Sequence, residues 1–196
     1  MFTAKHIAKA IKRTLKQVKR WRVQFLGHDE KTGRWSGKER KDALDEAFKV
    51  SLGGSLITNW KFTAEEAKKV VNEVSAWLEK KDFLPSKHFL IEERFGTVYL
   101  DYTKLTLPPL ELAIGRDAQG VFFYHVAERL AVDYPPDPEN HNKPLRRTTY
   151  RDHTFGGGEA PHVAVGKDYV HMELKGFIED LAKGLCYAVN EEKNRN

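Results

Sequence analysis

The chain has 196 residues, of which 40% are hydrophobic and 11% aromatic, enough for one large domain or two small ones with a packed core. It has no run of about 18 apolar residues, and its charged N-terminal stretch lacks an apolar segment, so neither a membrane-spanning helix nor a secretory signal is expected. The single cysteine, Cys186, cannot form an internal disulfide, which favours a reducing, cytoplasmic location.

The positive charge of the chain is concentrated near its N-terminus. Residues 1–41 contain thirteen Lys or Arg and three Asp or Glu, a formal charge of +10, although the whole chain carries only +5. The remaining residues therefore carry −5. Concentrated positive charge attracts phosphate, and the acidic remainder would not wrap around nucleic acid. The first 41 residues are therefore predicted to meet a polyanion, with a merely soluble basic surface as the alternative.

Two short helices separated by about three residues are predicted first. Thr3 can cap a helix whose Ile7, Ala8 and Ile11 share one face. Thr14 opens a second helix in which Gln17 completes a capping box. In that helix Leu15, Val18 and Phe25 are predicted to face inward, while the basic side chains lie on other faces. A helix pair with a basic second helix is what a helix-turn-helix needs to enter the major groove.

A basic segment punctuated by glycine, GHDEKTGRWSGKERK, follows at residues 27–41. Asp29 to Gly33 is predicted to form a tight turn. A Gly-turned hairpin rich in Lys and Arg suits a wing that lies along the phosphate backbone and fixes register without reading sequence. A surface loop without a partner is the alternative interpretation.

Two further helices are predicted to cover this pair. Leu44, Ala47, Phe48 and Leu52 recur at helical spacing, although Gly53 and Gly54 weaken the end of that helix. Thr63 and Glu66 form another capping box, which opens a helix with an apolar stripe. That stripe consists of Ala67, Val70, Val71, Val74 and Leu78.

The order of these elements, together with KFTAEEAKKV near Phe62 to Val70, resembles the winged helix-turn-helix DNA-binding domain of the MerR family over residues 2–80. The resemblance implies that Lys16, Gln17, Lys19 and Arg20 enter the groove and that Arg34, Arg40 and Lys41 belong to the wing. Asp42 stands where the family has an aromatic residue, and the family's metal-sensing cysteines are absent. Pro85 interrupts any long heptad pattern, so the family's coiled-coil dimer is not predicted.

The second half is predicted to be a small α+β domain over residues 86–190. Strands are expected at 97–102, 110–114, 121–134 and 162–166, with a hairpin loop at 115–120. Residues 134–144 are expected to form a polar loop, and residues 154–162 a flexible segment. A final amphipathic helix is predicted to pack on the sheet, with Leu174, Phe177, Ile178, Leu181 and Leu185 on its apolar face.

No catalytic, cofactor-binding or metal-binding constellation is predicted in this half. His125 and Glu128 would point to opposite faces of one strand, and His141, His153, His162 and His171 are scattered. The chain has no HExxH, CxxC or close His pair, and Gly156 to Gly158 do not open a helix as a phosphate loop does. A non-enzymatic protein without cofactor or metal is therefore expected.

The sequence therefore predicts an α+β protein with two domains. Residues 1–84 form an all-α winged helix-turn-helix domain, and residues 86–190 form an α+β domain with an antiparallel sheet and a C-terminal helix. The expected function is a DNA-binding transcriptional regulator, with double-stranded DNA as partner. The alternative is a phage DNA-packaging or recombination accessory protein, such as a small terminase subunit or an excisionase-like protein. A homodimer, and a small-molecule or protein partner of the second domain, are left open. The candidate DNA-binding residues are Thr14, Lys16, Gln17, Lys19, Arg20, Arg22, Lys31, Arg34, Lys38, Arg40 and Lys41.

Overall fold

The computed structural model describes residues 1–27, 43–101, 107–117, 119–134, 145–157 and 170–195. They form mixed helical and antiparallel β-structure in two compact units. The helical unit comprises Met1–Thr106 together with Ile178–Asn196, and the sheet unit comprises Leu107–Phe177. The predicted α+β class is thus confirmed in its coarse form. The division falls between Thr106 and Leu107 and not at the predicted boundary between residues 84 and 86, and the end of the chain from Ile178 also belongs to the helical unit.

The first two helices begin at the threonines that the sequence indicates. Helix α1 spans Ala4–Ala10 and helix α2 spans Leu15–Leu26. The Thr3 hydroxyl accepts a hydrogen bond from His6 N at 3.2 Å, and the Thr14 hydroxyl accepts one from Gln17 N at 3.3 Å. Both predicted caps are confirmed. Each cap satisfies a backbone donor that the first turn of a helix leaves unpaired.

Three more helices follow among the described residues of the helical unit. Helix α3 spans Leu44–Asn59, α4 spans Ala64–Lys80 and the single turn α5 spans Pro85–His88. The capping box of Thr63 and Glu66 is present, as predicted. The predicted apolar faces of α3 and α4 are confirmed, because all of their members are buried. They are Leu44, Ala47, Phe48 and Leu52 on α3 and Ala67, Val70, Val71, Val74 and Leu78 on α4.

The predicted inward face of α2 needs one correction. Val18 and Phe25 are buried as expected, but the side chain of Leu15 is exposed and the unpredicted Trp21 is buried. The buried residues follow i, i+3 and i+7 spacing, which places them on one side of the helix. Leu15, the first residue of the helix, lies at the edge of that side, and 40% of its surface is exposed.

The glycine pair of α3 lies within the helix, which continues for five residues beyond Gly54 to Asn59. A Cβ atom at Gly53 would be 2.7 Å from Phe25 Cδ2, and one at Gly54 would be 2.6 Å from Trp21 Cε3. The two glycines therefore accommodate the aromatic rings of α2, which lets the helices approach closely. The sequence predicted that the two glycines weaken the end of the helix. In the structure they lie inside the helix and allow this close packing.

A β-hairpin and the last helix complete the helical unit. Strands β1 (Leu90–Arg94) and β2 (Thr97–Asp101) are antiparallel and joined at Phe95 and Gly96, which both have positive φ. Helix α6 spans Leu174–Lys193. The side chain of Asn190 pairs with the backbone of Val98, accepting from its N at 2.7 Å and donating to its O at 2.8 Å. The predicted last helix is confirmed, but from Ile178 onward it belongs to the helical unit.

The sheet unit contains a four-stranded antiparallel sheet of order β5-β4-β3-β6. Its strands are β3 (Leu110–Arg116), β4 (Phe122–Tyr134), β5 (Leu145–Gly156) and β6 (Val170–Glu173). The predicted hairpin between β3 and β4 is confirmed. Residues 154–156, expected to be flexible, instead end β5. The strand predicted at 162–166 lies outside the described residues. So does the loop predicted at 134–144, except for Tyr134, which instead ends β4.

In the part of the chain that the structure describes, no helix is both long enough and apolar enough to cross a membrane.

Candidate nucleic-acid interface

Helix α2 separates its apolar and basic side chains on two faces. Val18, Trp21 and Phe25 are buried against the helical core. Lys16, Lys19 and Arg20 are exposed, as the sequence predicted for these three candidate residues. Because residues three and four apart share a helix face, the three cations form a ridge along the outside of the helix. We call Lys16, Lys19 and Arg20 the α2 basic ridge.

A shallow depression of about 660 Å³ lies beside this ridge. Among the described residues, its lining consists of Leu15, Lys16, Lys19, Arg20, Val23 and Gln24. The aliphatic side chains of Leu15 and Val23 therefore lie next to long hydrogen-bond donors. Base edges in the major groove offer both acceptors and the thymine methyl group, so such a mixed surface suits their chemistry.

Two of the predicted contact residues are used by the cap of α2. Gln17 Oε1 accepts hydrogen bonds from Thr14 N at 3.1 Å and from the Thr14 hydroxyl at 2.8 Å. The Thr14 hydroxyl in turn accepts from Gln17 N. These two side chains thus hold the first turn of the helix. A role for either residue in DNA binding stays a prediction.

The other candidates fall into two groups. Arg22 is half-buried and takes part in interactions within the protein, so it is not a member of the basic ridge. The predicted wing residues lie outside the described residues. They are Lys31, Arg34, Lys38, Arg40 and Lys41.

Two cations that the sequence did not single out meet at the end of α3. Arg13 Nη2 donates to Thr58 Oγ1 at 3.2 Å and to Asn59 Oδ1 at 3.1 Å. Lys61 Nζ donates to the carbonyl oxygen of Thr58 at 3.0 Å. Arg13 immediately precedes the cap of α2, so positive charge continues from the basic ridge to the junction of α3 and α4. Only the fold brings these residues together, because 48 positions separate them in sequence.

The basic residues of α1 and α2 differ in their ion pairing. Lys5 and Lys9 of α1 form ion pairs with Glu192 and Glu191 of α6. Within the described residues, no carboxylate pairs with any member of the α2 basic ridge. Uncompensated charge raises the local attraction for anions, whereas paired charge does so much less. Of these two helices, α2 is therefore the stronger anion-attracting surface.

Among the described residues of the sheet unit, carboxylates pair with basic side chains on both faces of β4. Glu128 is buried and its Oε2 lies 3.3 Å from His153 Nε2 and 3.5 Å from Arg151 Nη1. His125 Nε2 lies 3.0 Å from Asp152 Oδ1. The described residues contain no group of three or more His, Cys, Asp or Glu side chains that could hold a metal ion. Cross-strand pairs of this kind stabilise a sheet, and a buried carboxylate needs such partners.

Comparison with known proteins gives no relative: no protein-family model, no curated protein and no solved structure matches the chain. The resemblance to the MerR family, and the winged form of the helix-turn-helix, therefore stay predictions.

Proposed function

We propose that the protein is a DNA-binding transcriptional regulator that places α2 in the major groove of double-stranded DNA. The observation that carries this proposal is the exposed α2 basic ridge, which has no carboxylate partner among the described residues. The ridge lies opposite the buried Val18, Trp21 and Phe25, so the helix is fixed to its core while its cations face outward.

The dimensions of α2 suit this role. Its 12 residues correspond to a helix about 18 Å long, and the major groove, about 12 Å wide, admits one α-helix. Trp21 and Phe25 pack closely against Gly54 and Gly53, so α3 supports α2 rigidly on the side opposite the basic ridge. Rigid support lowers the entropic cost of ordering the helix on binding.

Affinity and specificity would have different sources in such a complex. Phosphate neutralisation by Lys and Arg gives sequence-independent affinity, and the predicted wing would add to it. Specificity would come from donors of the ridge on guanine or adenine edges, and from Leu15 or Val23 on thymine methyl groups. Arg13 and Lys61, which meet at Thr58, extend the positive surface beside the ridge.

This role has consequences for the oligomeric state, for the sheet unit and for where the protein acts. A helix-turn-helix protein that reads two half-sites does so as a dimer, so we include a homodimer in the proposal. The sheet unit would sense a ligand or mediate assembly. The protein would act by binding, in the cytoplasm, and not as an enzyme.

Selection of duplexes from a random pool, followed by gel shifts, tests the proposal. The purified protein is expected to enrich a sequence and to bind it with an affinity that falls steeply with salt, by a log–log slope of about −0.9 per contacted phosphate. The variant Lys16→Ala/Lys19→Ala/Arg20→Ala is expected to lose most of this binding. Absence of binding to any duplex, or binding that salt leaves unchanged, would refute the proposal.

A matched control separates the ridge from total charge. Lys68, Lys80 and Lys81 are exposed on and just after α4 and lack a carboxylate partner among the described residues. The variant Lys68→Ala/Lys80→Ala/Lys81→Ala removes the same charge from another surface. It should bind nearly as well as the unmodified protein. Equal losses in the two triple variants would show that net charge, and not α2, drives the binding.

A further inference from the structure

The last turns of α6 run along α1 in the opposite direction. Near the end of α1, a Cβ atom at Gly184 would be 3.0 Å from the Cα, Cβ and O atoms of Ala10. Two turns further along α6, Glu191 and Glu192 reach Lys5, His6 and Lys9 on the earlier part of α1. The contact therefore extends over most of the length of α1.

Two carboxylates make the polar part of this contact. Glu192 Oε1 lies 2.9 Å from Lys5 Nζ, and Glu192 Oε2 lies 2.5 Å from His6 Nε2. Glu191 pairs with Lys9 and with Arg195. Hydrogen bonds from Lys5 and then from His6 hold the pKa of Glu192 below its ordinary value. Glu192 is thus ionised at neutral pH and shared between two side chains of α1.

Neighbouring residues of α6 hold the two carboxylates in place. Asn190 makes two hydrogen bonds to the backbone of Val98 in β2. Lys193 Nζ lies 2.6 Å from Glu93 Oε1 and donates to the carbonyl oxygen of Gly96 at 3.2 Å. The hairpin therefore contacts α6 through Asn190 and Lys193, on both sides of Glu191 and Glu192. These contacts fix the position of the two carboxylates beside α1.

The position of this acidic pair is unfavourable for α6 itself. Negative side chains near a helix C-terminus interact unfavourably with the helix dipole. The partners on α1 offset this cost, and Glu192 lies beside Lys5 and His6 in the first turn of α1, where negative charge is favoured. Glu191 and Glu192 are therefore stabilised by the side chains and the N-terminus of α1, and not by the dipole of α6.

We propose that Glu191 and Glu192 are an internal competitor for phosphate that keeps Lys5 and Lys9 from contributing to DNA binding. This autoinhibitory contact rests on the proposed function, because it restricts binding to the α2 surface. Lys5 and Lys9 are partly exposed, with 66% and 38% of their side-chain surface accessible, so a phosphate could reach them once the carboxylates were neutralised. We call the two carboxylates the acidic latch.

The test compares the unmodified protein with the variant E191Q/E192Q. Each newly contacted phosphate steepens the log–log salt slope by about 0.9, so release of two lysines should steepen it by up to about 1.8. Nonspecific duplex affinity at 50 mM salt should rise at least threefold. The control variant E79Q/D180N changes the net charge equally at two exposed carboxylates that lack an ion-pair partner among the described residues. It should leave the slope unchanged.

A double-mutant cycle assigns the gain to the lysines. In the E191Q/E192Q variant, adding K5Q/K9Q should remove both the steeper salt slope and the gain in duplex affinity. A gain that persists would come from the released Arg195 and would overturn the proposal. K5Q/K9Q alone should change duplex affinity less than twofold, because the latch already engages both lysines. A loss as large as that of Lys16→Ala would show that they contact DNA in the unmodified protein, and the latch would be excluded.

Separate measurements test the acidic latch and the DNA binding by α2. Salt-dependent binding by the unmodified protein, lost in the α2 triple variant, tests the function without touching the latch. If that binding holds and E191Q/E192Q behaves like E79Q/D180N, only the latch is wrong. Thermal unfolding followed by circular dichroism checks that each variant is folded. K5Q/K9Q retains both carboxylates and serves as a second test of the latch if E191Q/E192Q is not folded.

Discussion

The indole ring of Trp21 occupies the space in which a side chain at Gly54 would begin. A Cβ atom there would be 2.6 Å from Trp21 Cε3, closer than real Cβ contacts come. Trp21 is almost fully buried, so the ring has little room to move. The glycine that looks like a weakness in α3 is therefore what allows α2 to lie against it.

We predict that Gly54→Ala destabilises the protein although alanine is the better helix former. Alanine should gain about 1 kcal/mol of helix propensity, whereas overpacking a buried aromatic ring costs about 1–3 kcal/mol. A net loss of about 1 kcal/mol in the free energy of unfolding is expected in urea titrations. Ser55→Ala, at the adjacent position of the same helix, should change stability much less. A Gly54→Ala variant as stable as the unmodified protein would mean that the two helices are not packed this closely.

We predict different effects for α2 and for the predicted wing. Lys16→Ala and Arg20→Ala should reduce discrimination between sites, since a good bidentate base contact is worth roughly 1–3 kcal/mol. Arg34→Ala and Arg40→Ala should instead weaken binding to all sequences alike. Gel shifts with the selected duplex and with scrambled duplexes measure both quantities. If the wing changes altered sequence preference and the helix changes did not, the roles of the two elements would be reversed.

We predict that Phe95→Asn stabilises the hairpin of the helical unit. Phe95 is fully exposed and has φ +52°, a backbone region that bulky side chains rarely adopt, and Gly96 follows with φ +76°. Asparagine before glycine suits this two-residue turn far better. The free energy of unfolding should rise by roughly 0.5–1 kcal/mol. Phe95→Ala removes the ring without supplying a residue suited to the turn, so it should give no such gain.

We predict that the stability contributed by Glu192 depends on pH. Its pKa is lowered in the folded protein, chiefly by the hydrogen bond from Lys5 and next by that from His6. A lowered folded pKa stabilises the protein above the unfolded pKa, near 4.5, and this contribution is lost as pH falls through the folded value. Glu192→Gln should therefore be less stable than the unmodified protein at pH 7, and the difference should be smaller at pH 3, which lies below the unfolded pKa. A difference that is the same at both pH values would show that the carboxylate charge has no part in it.

The features that could be predicted from sequence are local ones. Thr3, Thr14 and Thr63 cap helices through bonds to residues three positions away, and the stripe of α4 repeats at helical spacing. Strand β5 was missed because its sequence is mostly polar and lacks the apolar alternation of a half-buried strand. The contacts of Glu191 and Glu192 with α1 join residues more than 180 positions apart, and no local pattern encodes them.

The same distinction holds for the candidate interface. Lys16, Lys19 and Arg20 could be identified because helical periodicity alone separates them from Val18 and Phe25. Sequence reasoning could not show which cations are neutralised, since Lys5 and Lys9 are as basic as the ridge until α6 is placed beside them. Sequence reasoning also could not predict that Lys61 lies near Arg13. Both residues bond to Thr58, and this depends on the way in which α3 ends.

The division of the chain has a consequence for its synthesis. The sheet unit, Leu107–Phe177, lies in sequence between the two parts of the helical unit. A ribosome makes about 5–20 residues per second, so all strands of the sheet unit leave it before the part of α6 that lies on α1. During that interval Lys5, His6 and Lys9 have no carboxylate partner from α6. The positive charge of α1 is therefore not neutralised by α6 in the nascent chain. A newly made chain is therefore expected to adhere to ribosomal RNA or other polyanions more strongly than the finished protein does.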